Sequence, residues 1–272
     1  LNAARFCTAQ RMAQPLRYGT LTRHQLRSDF LQNTREVLIY RPRLPQPARW
    51  TLLLFDGKTY QHEYRLANVL DALSASHRLP PINVVFIDSL DHPRRAKELP
   101  PNPHFADFMA HELLPWLRRQ GLSLSRQKTV VAGSSYGGLA ASWVALRYPR
   151  QVGNVLSLSG SYWWAPQGEE ASWLTRQYQQ SPRYPVRFWL QAGKFETNGP
   201  DGGIYANTLE FEQVLKEKGY TVSFHPSSSG NDYAAWCEAL ISGMRDLTGL
   251  ALNGKPATPD PAQQQIFNRA QR

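Results

Sequence analysis

Cysteine is scarce in this chain, at two residues in 272. Cys7 and Cys237 are too few for a disulfide framework and too sparse for a zinc site. They can close one bridge in an oxidising compartment, at a distance the sequence does not set. Long apolar runs are missing as well: none approaches the roughly 18 residues that cross a bilayer, so no stable membrane insertion is expected. Acidic residues number 21 against 31 basic ones, a net charge of +10 that favours anionic partners. Yet the arginines are scattered from Arg5 to Arg272 without a tight run, and no zinc finger or RNP segment appears, which argues against nucleic acid. Internal repeats are absent too. No signal peptide precedes Leu1, and a start at Leu rather than Met reads as a mature or trimmed form.

Hydrophobic residues make up 42% and charged residues 19%, a globular balance. Residues 1–252 are expected to form a single domain. Residues 253–272, rich in Pro, Gln, Ala and Arg, read as a C-terminal tail. Strands are predicted at 34–42, 50–55, 82–88, 155–159, 186–191 and 221–224, and another runs from Thr129 to Ala132. Helical spacing covers 66–73, a long stretch at 105–119 bent by Pro115, and segments near 170–179, 205–218 and 233–247. The first sixteen residues carry no assignable pattern. Alternating strands and helices predict an α/β fold with a mostly parallel sheet covered on both faces.

The strongest local signal is Gly133-x-Ser135-x-Gly137, fed by an apolar run and followed by Leu139, Ala140, Trp143, Val144 and Leu146 at helical spacing. That context marks a nucleophile elbow, in which a sharp strand-to-helix turn lifts the serine hydroxyl above the sheet, as in the α/β-hydrolase fold. The bland alternative is a glycine-rich turn whose serine caps a helix. An acyl-transfer serine also needs oxyanion donors. One is the backbone N–H of Tyr136, the residue after the nucleophile, and the second falls to Gly57 or Lys58, after the strand ending at Asp56.

Chain order in this fold runs nucleophile, acid, histidine. Glu196, just past the strand at 186–191, is the expected acid, because its competitor Asp201 sits in a solvated-turn sequence. Of seven histidines only His225 follows Ser135. It lies in or at the end of a strand and is followed by Pro226, a poor setting for a mobile base.

The chain resembles the enterobactin (enterochelin) esterase family of trilactone siderophore hydrolases over roughly residues 17–247. The resemblance is carried by Asp56-Gly57, by Arg95-Ala-Lys-Glu98-Leu99 with Asn102, by Gly133 to Gly138, by Ser159-Gly-Ser-Tyr-Trp-Trp164, and by Gly230-Asn-Asp232 with Trp236. In that family the last motif is similar to Gly-His-Asp followed a turn later by tryptophan, so the catalytic histidine matches Asn231. An asparagine amide has no usable basicity near neutral pH. Three readings stay open: a replacement introduced to trap a bound ligand, a natural loss that leaves a binding protein, or service by His225.

The resemblance implies a catecholate siderophore, ferric enterobactin above all, as partner, with iron held by the substrate and no cofactor or protein-bound metal. A basic, aromatic-lined cleft is then expected. Arg95 matches the family's substrate-side arginine, with Arg94 and Lys58 as neighbours. Of the adjacent Trp163 and Trp164, one is expected in the core and one in the cleft; Trp236 reads as core. Two other functions remain in view: a non-catalytic siderophore-binding protein, and a generic carboxylesterase or acyltransferase. The mature-looking start and the missing large N-terminal domain favour the periplasm over the cytoplasm.

Overall fold

A computed structural model of the chain describes residues 5–228 and 231–249. The eight strands are β1 (Gly19–Ser28), β2 (Asn33–Pro42), β3 (Trp50–Phe55), β4 (Ile82–Ile87), β5 (Thr129–Ser134), β6 (Asn154–Leu158), β7 (Arg187–Gly193) and β8 (Thr221–Ser227). They form one sheet in the order β1-β2-β4-β3-β5-β6-β7-β8. The β1–β2 and β2–β4 pairings are antiparallel, and every pairing from β4 through β8 is parallel. This is the expected α/β architecture. Strands β3 to β6 read as near-continuous apolar runs because helices cover both faces.

Ten α-helices accompany the sheet among the described residues: α1 (Ala9–Ala13), α2 (Gly57–His62), α3 (Leu66–Ala75), α4 (His92–Glu98), α5 (Pro103–Asp107), α6 (Leu114–Arg119), α7 (Tyr136–Arg147), α8 (Trp173–Gln180), α9 (Gly203–Glu217) and α10 (Tyr233–Thr248). Strand residues alternate between two cores. Leu53, Phe55, Val85, Ile87 and Val131 pack with α5 to α9 on one face. Leu52, Leu54, Val84, Phe86 and Val130 pack with α3 and α10 on the other. Helix α7 is buried from Gly137 to Ala145, as its apolar character all round requires.

Several expectations need correction. Strand β1 escaped notice because it is an edge strand of mixed burial, with Thr, Arg, His and Gln alternating instead of a clear apolar face. The long helix at 105–119 divides into α5, a π-helical stretch Phe108–Leu113 and α6. The wide turn lies just before Pro115, which supplies no N–H to an α-helical ladder. Strand β8 runs on through His225 and Pro226, and a proline is tolerated there because β8 is the other edge of the sheet.

The N-terminal segment, unassigned from sequence, is tied down. Cys7 and Cys237 form a disulfide, with their Cα atoms 6.4 Å apart. The Phe6 and Cys7 N–H groups donate to the Glu238 carboxylate, and the Phe6 ring, 9% exposed, packs under the Arg245 guanidinium at 5.4 Å. The proposed tail at 253–272 and the domain limit at 252 lie outside the described residues.

Candidate active site

Ser135 sits between β5 and α7 at φ 59° and ψ −119°, a conformation few non-glycine residues adopt. Space explains the glycines on either side. A Cβ on Gly133 would lie 2.5 Å from the Gly137 carbonyl carbon, and one on Gly138 would lie 2.5 Å from Ser157 Oγ. The turn is pinned by the Ser135 N–H, which donates to the Leu158 carbonyl at 2.9 Å. Its hydroxyl is half-buried and lies 3.3 Å from Ser161 Oγ.

Two helices start at the ends of the adjacent strands β3 and β5. Tyr136 opens α7, while Gly57 and Lys58 open α2 after β3, and first-turn N–H groups have no partner within their own helix. Asp56 would ordinarily cap α2, but its side chain makes no cap bond. Both of its oxygens instead accept from Arg95, at 2.8 and 2.9 Å, which leaves the start of α2 open to an anion. Gly57 is pressed against β4, where an added Cβ would lie 2.4 Å from the Ile87 N.

Arg95 belongs to α4, whose far end is anchored by a buried ion pair between Glu98 and Arg35 at 2.7 Å. Burial pulls the Arg95 guanidinium down, but Asp56 more than compensates and its pKa is raised. The guanidinium also lies 5.5 Å over the Tyr136 ring. It is therefore committed to the frame of the site, and its Nη1 makes no hydrogen bond among the described residues. Arg94 stands apart from the cavity, 56% exposed and paired with Asp91. Lys58 is exposed on α2.

A cavity of about 470 Å³ opens over Ser135, walled by Asp56, Asp88, Asp91, His92, Arg95, Tyr233 and Trp236. Its aromatic members are Tyr233 and Trp236, the latter also packed in the core as expected, and neither Trp163 nor Trp164 lines it. Nor is it basic: three carboxylates face one arginine and a histidine. Asp56 is matched by Arg95 and Asp91 by Arg94. Burial raises the Asp88 pKa against the opposing pull of the Leu90 N–H and Lys58. Burial and then Asp56 push the Tyr233 phenol up to about 12, so it stays a hydrogen-bond donor at neutral pH. Sequence reasoning passed over Asp88, His92 and Tyr233, because their neighbours carry no motif and only the return of the β4 loop and α10 brings them here.

Glu196 lies in the loop after β7. Its Oε1 accepts from Ser159 Oγ at 2.7 Å and from the Gly193 N–H at 2.8 Å, while Oε2 is buried with no hydrogen-bond partner. Ser159 Oγ in turn accepts from the Trp236 indole at 3.0 Å. Asp201 occupies an exposed turn. Trp163 lies beside Tyr136, with centroids 6.2 Å apart, and Trp164 packs edge-on to Trp173 against the core.

No described imidazole is hydrogen-bonded to Ser135. Asn231 is exposed just before α10, and its amide bonds neither Ser135 nor Glu196; Gly230 of its motif lies outside the described residues. His225 is held elsewhere, stacked on Trp189 at 4.2 Å and bonded to Ser223 Oγ at 3.0 Å, facing a separate cavity. His92 shares the cavity with Ser135 but is exposed at the start of α4.

The arrangement brings a strained, half-buried serine, the first turns of two helices and a held carboxylate to the ends of neighbouring strands. The family model described as "Putative esterase" matches residues 28–247. The iron(III) enterobactin esterase of Dickeya dadantii is 31% identical over 248 residues, 86% of this chain and 56% of that protein. An iron(III) salmochelin esterase of Escherichia coli is 30% identical over 79% of this chain and 55% of its own length. The crystal structure of the Shigella flexneri enterobactin esterase in the presence of enterobactin superposes with a TM-score of 0.76 at 31% identity, covering 84% of this chain and 59% of that one. The chain thus spans little more than half the length of these relatives. On the elbow, the sheet order and these similarities together, the chain belongs to the putative esterase family.

Proposed function

We propose that this chain is a serine esterase site for the trilactone backbone of a catecholate siderophore, ferric enterobactin or a close relative. The observation that carries the reading is Ser135, set at φ 59° between two open helix N-termini on the wall of the cavity, in a chain about 31% identical to an iron(III) enterobactin esterase. With a histidine at position 231, Ser135 Oγ would attack an ester carbonyl carbon and pass its proton to that imidazole. The N–H groups of Tyr136 and of Gly57 or Lys58 receive the developing oxyanion. Collapse expels the ring hydroxyl, which takes the proton back, and water then releases the acyl group by the same route. Opening the ring loosens the preorganised iron chelate. In this reading Arg95 Nη1 and the Tyr233 hydroxyl, both on the cavity wall, receive catechol oxygens.

With Asn231 in place the serine proton has no acceptor. Loss of the histidine from such a triad costs on the order of a million-fold in turnover. The chain therefore binds its substrate and cuts it poorly. The same residue favours the second reading, a siderophore-binding protein without turnover. Chromatography of the products from ferric and iron-free enterobactin, with this chain and with Asn231→His, separates the two. The esterase reading expects a gain of several orders of magnitude for the variant, and affinity with no gain favours the binding protein. Equal cleavage of simple aryl esters by the variant, insensitive to Arg95→Ala, would instead mark a generic carboxylesterase.

The Cys7–Cys237 bridge supports an oxidising compartment, and with it a periplasmic location.

A further inference from the structure

The acid is held by two buried residues that take no part in the triad. Ser159, fully buried, adopts φ 46°, and its N–H donates to the Gln191 carbonyl at 2.8 Å. Its hydroxyl touches Trp236 Nε1 on one side and Glu196 Oε1 on the other. An indole N–H can only donate, so the hydroxyl accepts from Trp236 and its single proton is directed to Glu196. The Gly193 N–H lands on that same oxygen. Both donors are thus spent on Oε1, and Oε2 is left buried and unpartnered. Trp236 is a turn along α10 from position 231, and the next residue is bridged to Cys7.

We propose that Ser159 and Trp236 are positioning residues for the acid of this site. The relay from indole to hydroxyl to carboxylate fixes the plane of Glu196 and reserves Oε2 for an imidazole N–H at position 231. The Cys7–Cys237 bridge steadies the helical turn from which the relay starts. This inference rests on the reading of Ser135 as nucleophile and Glu196 as acid. It assigns the strained backbone of Ser159 a use: only that turn brings the hydroxyl between the indole and the carboxylate.

In the Asn231→His background, Trp236→Phe keeps an aromatic ring and removes the donor, and Ser159→Ala removes the link. Each is expected to lower kcat by about tenfold, and Ser159→Ala, off the cavity wall, with KM within about twofold, since its bonds orient the acid without touching substrate. The acid limb of the pH–rate profile should move to lower pH, because a misplaced carboxylate no longer supports the protonated imidazole. In a Glu196→Ala background Ser159→Ala, at a residue fully buried and off the cavity wall, should cost nothing further. An undiminished cost there, or an unmoved acid limb, would overturn the relay. A crystal structure of Trp236→Phe with Asn231 retained tests the relay without reference to turnover. Glu196 is expected to leave the Gly193 N–H, and an unmoved carboxylate would sink the proposal. Failure of Asn231→His to gain hydrolysis counts against the esterase reading instead, and the crystallographic outcome still decides the relay.

Discussion

Arg95 grips Asp56 with two parallel hydrogen bonds, 2.8 and 2.9 Å long, and so joins α4 to the loop that follows β3. Asp56 is 6% exposed, and removing its partner strands a charge with little access to water. Arg95→Ala is expected to lower the unfolding free energy by about 2–3 kcal/mol, reduced from the fully buried case by the partial exposure of the arginine. Arg94→Ala, at an exposed pair, should cost less than about 1 kcal/mol. Urea titration of both variants checks the contrast, and equal costs would contradict the framing role of Arg95.

Asn231→His should raise siderophore ester cleavage by several orders of magnitude. Asn231→Gln, which adds length without basicity, should leave it near the starting level. If His92→Ala or His225→Ala removes a substantial activity already present in the chain, the missing base has been located wrongly.

The disulfide closes a loop of 230 residues onto α10. Its loss through Cys7→Ser with Cys237→Ser should destabilise the domain by about 2–5 kcal/mol. Denaturant curves with and without reductant should converge for the double variant and separate for the parent chain. A parent insensitive to reductant would contradict a structural bridge.

Burial lowers the His225 pKa below its ordinary 6.5, with Asp246 opposing the shift. The folded state therefore disfavours the protonated ring, and the unfolded chain binds more protons below that value. Its contribution is complete above about pH 6.5 and is lost as the pH falls through the lower folded value. His225→Gln should flatten the decline in stability on the acid side of 6.5, measured by melting temperature against pH. An unchanged slope would remove His225 as a source of acid sensitivity.

Strands β3 to β6 were legible because a short apolar run bounded by turn residues has few other places to go, and the elbow because its glycines answer a local steric demand at Gly133 and Gly138. Edge strand β1 was not, since half-exposed positions impose no alternation. The resemblance, in line with the net charge, led to the expectation of a basic cleft, yet neither says which side chains face inward. Asp88 and Asp91 share the cavity with Asp56 and Ser135 because β4, β3 and β5 lie in succession in the sheet, which brings the loops that follow them to one edge.

The sequence by itself determined the strand runs, the serine of the elbow and the asparagine at 231, all of them matters of residue type and short-range spacing. Tertiary structure alone decided that Arg95 serves Asp56, that His225 stacks on Trp189 away from Ser135, and that Ser159 and Trp236 hold Glu196. Those pairings join residues dozens of positions apart, and they are set by which strands lie side by side, a relation no local pattern encodes.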